Sequence, residues 1–336
     1  MNNPSARFTR FLNDFQNVII GSILQTDGKA DLFINHVHEN NGRTSMFQLQ
    51  ALARIRKKLH KDQLALDLLE HFKMIEDAIG KYDYWKVYRE LNSKWALPLE
   101  ILQHIEKEEE ISRQNLLDTL STLGYIKIES DRVIYNPDTI NNLRSKITLA
   151  EQFDQKKEKM KLLKFFCKEL EKIQSAIVNN ELDLNQIEEG VHEFRRKARW
   201  LGIYSSALLG KVRLSSSDID GTLSEFLTPE NENVQFNQLP FNNEQISPLY
   251  FLRGGFYALS TIINEIGTIK DKGLATEEMV KLGSIYNISK TEIKACLGSD
   301  FSEHNEVVSR TKELIEEFLI KKKILIEIKD YFQSQL

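Results

Sequence analysis

The sequence predicts an all-α protein made of two degenerate helical-bundle halves, and three observations support this. Glycine and proline, the residues that most often break helices, number only 15 and 6 in a chain of 336 residues. Apolar residues recur at helical intervals over long stretches. A basic helix followed by a helix ending in Ile-Gly is predicted once in each half, which indicates an internal duplication.

The clearest predicted helix lies between residues 140 and 179, where apolar residues step by three, four or seven. Gln, Lys and Glu fill its other face, and no glycine or proline interrupts residues 138–189. The spacing near 3.5 is typical of helices that pack in bundles. The same periodicity predicts further helices at 8–23, 45–76, 184–209, 260–269 and 308–332.

Two stretches depart from this pattern. Two β-prone runs flank Ser130-Asp131 near residues 124–137, with Gly124 before them and Asn-Pro after them, so we expect a small β-hairpin. Residues 215–248 hold three prolines and many asparagines, which predicts a long surface loop or a domain boundary. We expect an N-terminal half at 1–148 with the hairpin and a C-terminal half at 149–336 with the loop.

The overall composition excludes several classes. The net charge is -4, so an anion site has to come from local clustering of basic residues. No apolar run is long enough to span a membrane, and the first ten residues do not read as a secretory signal. Cys167 and Cys296 make no metal spacing and read as reduced thiols. We therefore expect a cytoplasmic protein with no membrane contact, no bound metal and no cofactor.

One segment matches a catalytic motif. Asp218-Ile-Asp220-Gly221-Thr222 matches the DxDGT signature of haloacid dehalogenase-like phosphatases, whose first Asp attacks phosphorus and whose second protonates the leaving group. That chemistry needs a buried strand in a parallel sheet, but Ser215-Ser-Ser217 precede the motif and the remaining residues read as helical. We expect a turn or helix cap here and no catalytic residues, with a phosphatase as the remote alternative.

The most informative segment is the basic stretch at 191–201. On a helix, His192, Arg195, Arg196 and Arg199 recur at three and four residues and share one face. Stacked like charges repel by a few tenths of a kcal/mol per pair, so an anion or facing carboxylates should neutralise the row. Lys197 extends this cluster, and the first half has a similar basic segment at 52–61 with Arg54, Lys57 and Lys58.

Each basic segment has a downstream partner. Ile79-Gly80 and Ile266-Gly267 align, glycine on glycine, and each is followed within four residues by an acid, Asp83 or Asp271. A glycine at this place fits a left-handed cap, so we expect both glycines to close their helices.

His192-x-x-Arg195-x-x-x-Arg199, with Gly267-x-x-Lys270-Asp271 later, resembles the CHAD domain, the conserved-histidine α-helical domain. The resemblance implies two helical bundles related by a pseudo-twofold axis, a basic groove between them, and binding of polyphosphate without catalysis. It matches Arg54 and Lys57 of the first half to Arg196 and Arg199. Gln50 stands where the first histidine would fall, and Asp83 sits one place early.

We therefore expect non-catalytic binding of inorganic polyphosphate or a similar polyanion through Arg54, Lys57, Lys58, His192, Arg195, Arg196, Lys197 and Arg199. The alternative is a helical scaffold that binds a protein partner, in which these arginines pair with the chain's own acids. It predicts carboxylates within about 4 Å of His192 and Arg195. Nucleic acid stays open as a further polyanion.

Overall fold

The prediction of an all-α fold is confirmed by a computed structural model of the chain, which describes residues 7–61, 63–150, 155–216, 221–241 and 247–336. Over these ranges the chain is mostly helical, with two short strand pairs. None of the described helices has the length and apolarity needed to cross a membrane. The chain divides into two compact units, Met1–Phe153 and Asp154–Leu336.

The first unit contains six helices and a hairpin among its described residues. They are α1 (Arg7–Thr26), α2 (Ala30–Glu39), α3 (Gly42–His60), α4 (Gln63–Trp95), α5 (Leu99–Thr122), β1 (Ile126–Glu129), β2 (Arg132–Tyr135) and α6 (Pro137–Ala150). The long α4 packs between α3 and α5, and α1 packs on α2, α3 and α6. The predicted helix at 45–76 is two helices, because Lys61 takes a left-handed φ of 55° and ends α3.

Helix α1 packs on the core through one apolar face, as its periodicity predicts. Its fully buried apolar residues are Phe8, Leu12, Phe15 and Ile19, spaced by three or four. The hairpin is also confirmed. Strands β1 and β2 pair antiparallel, with Glu129 opposite Arg132, and Ser130 and Asp131 both have the positive φ that a two-residue hairpin turn requires.

The second unit is also a helical bundle. Its elements are α7 (Gln155–Val178), a π-helical turn (Ile187–His192), α8 (Glu193–Ala207), β3 (Val212–Leu214), a 3-10 turn (Gly221–Phe226), α9 (Pro229–Asn233), a 3-10 turn (Gln235–Asn237), β4 (Leu249–Phe251), α10 (Arg253–Ile285), α11 (Lys290–Leu297), a 3-10 turn (Gly298–Asp300), α12 (His304–Ile315), a π-helical turn (Glu316–Lys321) and α13 (Ile324–Gln333). Helix α8 packs on α7 and α10, and α13 packs on the same two helices.

The structure describes helix over most of two further predicted stretches. The stretch at 140–179 contains α6 and α7, and residues 151–154 between them lie outside the described ranges. The stretch at 308–332 contains α12, a π-helical turn and α13, because Lys323 takes a left-handed φ of 54°. The apolar period continues across the second break, so α13 still buries one face.

The stretch at 215–248 is not a surface loop throughout its described part. Leu223 and Phe226 are buried within the first 3-10 turn, and Asn237 is buried at the end of the second. These residues fold the segment onto α10. Apolar residues spaced among the prolines and asparagines are the physical reason, since their burial holds the segment down.

Candidate functional site

The predicted basic residues lie on one helix in each unit. In the first unit, Arg54, Lys57 and Lys58 occupy the last turns of α3, where Lys58 is exposed and the other two are half-buried. In the second unit, His192 ends the π-helical turn, and Arg195, Arg196, Lys197 and Arg199 follow on the first turns of α8. Each set is therefore displayed by its own unit.

The two aligned glycines do not cap their helices, so that prediction is wrong. Gly80 lies inside α4 and Gly267 lies inside α10. Each of these two positions leaves no room for a side chain, because an arginine guanidinium packs directly on it. A Cβ added at Gly80 would be 2.6 Å from Nη2 of Arg43, and one added at Gly267 would be 2.7 Å from Nε of Arg195. The duplicated feature is thus an arginine guanidinium packed on a helical glycine.

This contact gives the repeat a different register from the expected one. Arg43, not Arg54, is the first-unit residue packed on the repeated glycine, so Arg43 is the counterpart of Arg195. In this register Asn40, not Gln50, stands where the second unit has its histidine. Sequence alignment on the densest basic segment missed Arg43 because it is an isolated basic residue among polar ones.

In the first unit the arginine is neutralised. Nη2 of Arg43 lies 2.8 Å from Oε1 of Glu76, and Nη1 lies 3.0 Å from Oδ2 of Asp83. His38 contacts the other Asp83 oxygen through Nε2 at 2.7 Å. The hydrogen bond from His38, with the charge of Arg43, holds the pKa of Asp83 below its ordinary value. The first-unit arginine therefore braces the bundle as part of an ion-pair network.

In the second unit the acids of this network are replaced. Glu76 precedes its glycine by four residues, and the residue at that distance from Gly267 is Ile263. Asp83 follows its glycine by three residues, and the residue at that distance from Gly267 is Lys270. Two changes of side chain thus remove both negative charges and add a positive one.

Arg195 is held by the backbone instead. Its Nε donates a hydrogen bond of 2.9 Å to the carbonyl oxygen of Ile263, and within the described part of the chain it forms no ion pair with a carboxylate. Arg195 is half-buried, so its position is fixed while part of its guanidinium stays accessible. A fixed guanidinium without a counter-charge is a suitable anion ligand.

Two more groups, Lys270 and His192, belong to the surroundings of Arg195. Lys270 is only 6% exposed, and its one ion pair within the described ranges is with the neighbouring Asp271. Burial is the main cause that holds the pKa of His192 below its ordinary value. The charges of Lys270 and Arg195 lower this pKa further, and the charge of Glu188 opposes them. Nδ1 of His192 is buried and has no hydrogen-bond partner among the described residues. The cluster is thus positive without a protonated histidine.

The other predicted basic residues of α8 have two different surroundings. Arg196 lies 2.7 Å and Lys197 lies 3.2 Å from the Glu193 carboxylate, so these two side chains face an acid of their own helix. Arg199 lies beside Arg195 in the wall of a cavity of 460 Å³ between α8, the 229–237 segment and α10. Arg195 and Arg199 are therefore the pair that faces an open space.

A short strand precedes the DxDGT motif at 218–222, but the larger parallel sheet that its chemistry needs is not found among the described residues. Asp218 and Asp220 lie outside the described residues. Contrary to expectation, a short strand, β3, precedes them and pairs parallel with β4. Each strand has three residues, and within the described ranges the pair is not part of a larger sheet.

The described residues also contain no cluster of three or more His, Cys, Asp or Glu side chains that could hold a metal. His36 and His38 are close in sequence, but His38 contacts Asp83 through Nε2 at 2.7 Å. Comparison with known proteins gives no match for this chain, whether with protein-family models, curated proteins or solved structures.

Proposed function

We propose that this protein binds inorganic polyphosphate or a similar phosphate-rich polyanion, without catalysis, through the second unit. Arg195 and Arg199 are the direct ligands, Lys270 supplies further positive charge, and His192 is a hydrogen-bonding group beside them. One observation carries the proposal. Arg195 is fixed on Gly267 with no carboxylate partner among the described residues, whereas its counterpart Arg43 is fully paired.

The chemistry of arginine favours phosphate at such a place. A guanidinium presents a planar fork of donors that matches two oxygens of a phosphate, and it is always charged. Because the whole chain carries a net charge of -4, attraction has to be local to this cluster. Arg196 and Lys197 add positive charge at the edge, partly cancelled by Glu193.

The first-unit residues Arg54, Lys57 and Lys58 remain in the proposal as a second contact surface for a long polyanion. A chain of many phosphates extends well beyond one pair of arginines, so additional lysines increase affinity through counterion release. The proposed setting is the cytoplasm, where the free thiols of Cys167 and Cys296 would stay reduced.

Calorimetric titration of the whole protein with inorganic polyphosphate tests the proposal. Affinity should fall by at least tenfold when salt is raised from about 50 mM to about 200 mM. It should fall by roughly 100-fold or more in Arg195→Ala with Arg199→Ala. The matched control is Arg196→Ala with Lys197→Ala, which removes the same charge from residues that pair with Glu193 and should weaken binding only slightly. Affinity in the first double variant that equals the affinity of the control contradicts the proposal.

A helical scaffold for a protein partner is the second candidate. It is favoured by the pairing of Arg43 with Glu76 and Asp83, and of Arg196 with Glu193, which shows that several basic residues serve internal ion pairs. If this is the function, polyphosphate should not bind at any salt concentration, and the Arg195→Ala, Arg199→Ala variant should change only stability.

A further inference from the structure

The cavity between α8, the 229–237 segment and α10 has one charged end and one aromatic end. Along α8 the order is Arg195, Arg199 and then Gly202, and the ring of Phe236 packs directly on Gly202. A Cβ added at Gly202 would lie 2.2 Å from Cζ of Phe236. A helix rises about 1.5 Å per residue, so the two ends are roughly 10 Å apart.

Helix α10 contacts the residues at both ends of the cavity. The carbonyl of Ile263 fixes Arg195 at the charged end. Phe256, two turns earlier in α10, stacks on Phe236 with ring centroids 6.1 Å apart and planes within 16°. Phe236 itself is 37% exposed, so part of its ring is free to contact a ligand. A linear phosphate chain has no apolar or aromatic group that could stack on such a ring.

Between the two ends the wall carries a hydroxyl group. Ser260 is 7% exposed and lies on α10 between Phe256 and Ile263. Asn264 and Glu265 also line the cavity, but they follow Ile263 on α10 and so lie near Arg195 at the charged end. The two guanidinium charges exceed the single carboxylate charge there, so this end stays positive.

The segment that carries Phe236 is braced without a ligand. The backbone N–H of Asn231 donates to Oγ1 of Thr228 at 3.3 Å, and its side-chain amide donates to the carbonyl of Phe226 at 2.9 Å. The Asn237 amide donates to the carbonyl of Asn231 at 2.8 Å. The aromatic end is therefore preformed, which lowers the entropic cost of binding.

We propose that this cavity binds a nucleoside phosphate. Its phosphates contact Arg195 and Arg199, and its base stacks on Phe236. The cavity of 460 Å³ is of the size that small-molecule ligands occupy. The inference rests on the proposed function, because the same two arginines hold the phosphates, and it narrows the ligand from any polyanion to one that carries an aromatic base.

The test compares adenosine triphosphate with inorganic tripolyphosphate on the wild-type protein, by calorimetry at one salt concentration and without Mg²⁺. Stacking of a base on an aromatic side chain is worth about 1–3 kcal/mol, which corresponds to roughly 5- to 150-fold tighter binding of the nucleotide. Phe236→Leu keeps the apolar volume and removes the aromatic face. It should abolish the advantage of the nucleotide and leave tripolyphosphate binding unchanged.

The outcomes separate this inference from the function on which it rests. Equal affinity for the two ligands in the wild-type protein overturns the inference and leaves polyanion binding intact. An equal loss for both ligands in Phe236→Leu, with an unchanged circular dichroism spectrum, also overturns it, because Phe236 would then only shape the site. Failure of adenosine triphosphate, tripolyphosphate and polyphosphate alike to bind the wild-type protein refutes both.

Discussion

Replacement of Gly267 by alanine separates stability from binding at the proposed site. In the interior of a helix, alanine is favoured over glycine by about 1 kcal/mol. The new Cβ would lie 2.7 Å from Nε and 2.8 Å from Nη2 of Arg195, so the guanidinium has to leave its place and its hydrogen bond to Ile263. The carbonyl keeps its helical partner, and the half-buried guanidinium can turn towards water.

These terms nearly cancel in the folding equilibrium. The lost hydrogen bond from a charged group is worth about 1.5–3 kcal/mol when buried, and less here because Arg195 is partly exposed. We expect the free energy of unfolding of Gly267→Ala to stay within about 1 kcal/mol of the wild-type value. Binding has no such compensation. Loss of one charge-assisted contact should weaken polyphosphate binding by roughly 10- to 100-fold.

Urea denaturation followed by circular dichroism measures the first quantity, and calorimetric titration measures the second. Gly21→Ala in α1 is the matched control, because no atom outside the helix backbone lies within 4 Å of the added Cβ. It should stabilise the chain by about 1 kcal/mol and leave binding unchanged. Wild-type affinity in Gly267→Ala would refute the argument that the glycine exists to place Arg195.

Three further predictions use the same measurements. Arg43→Ala should lower the free energy of unfolding by about 1–2 kcal/mol, because it leaves Glu76 and Asp83 without their cation, and should not change polyphosphate affinity. Burial, aided by the charge of Lys146, lowers the pKa of His71 to about 4. The contribution of neutral His71 to the free energy of unfolding should therefore be full above pH 6.5 and fall by roughly 3 kcal/mol as the pH drops to about 4. Urea denaturation at several pH values should show that His71→Gln removes this dependence. Bound phosphate favours protonation of His192, whose pKa is lowered mainly by burial, so affinity should rise as the pH falls, and His192→Gln should remove that dependence in calorimetric titrations at several pH values.

The sequence was sufficient for the fold class because the period of apolar residues is a property of the chain itself. Helix α1 and the hairpin at 126–135 are examples, since their signals are local. The breaks at Lys61 and Lys323 were missed because both residues take left-handed φ values, and lysine carries no signal for that conformation. Tertiary packing selects these turns, and a single sequence does not display it.

The candidate site was predicted only in part for a similar reason. His192, Arg195 and Arg199 stand out because they are close in sequence and share a helix face. Whether an arginine is neutralised depends on residues far along the chain, as Glu76 lies 33 residues from its partner Arg43. No motif signals Phe236, because its role comes from a segment folded onto α10.

The difference between the two units follows from positions on a single helix face. Residues four before and three after a helical glycine lie on the same side as the glycine, so both face the arginine packed on it. In the first unit these positions are Glu76 and Asp83, whose two negative charges outweigh the single charge of Arg43. In the second unit these positions are Ile263 and Lys270, so neither offsets the charge of Arg195 and the lysine places a second positive charge beside it. The same backbone contact can thus serve as an internal brace in one unit and be available to an external anion in the other, and only those two side chains have to differ.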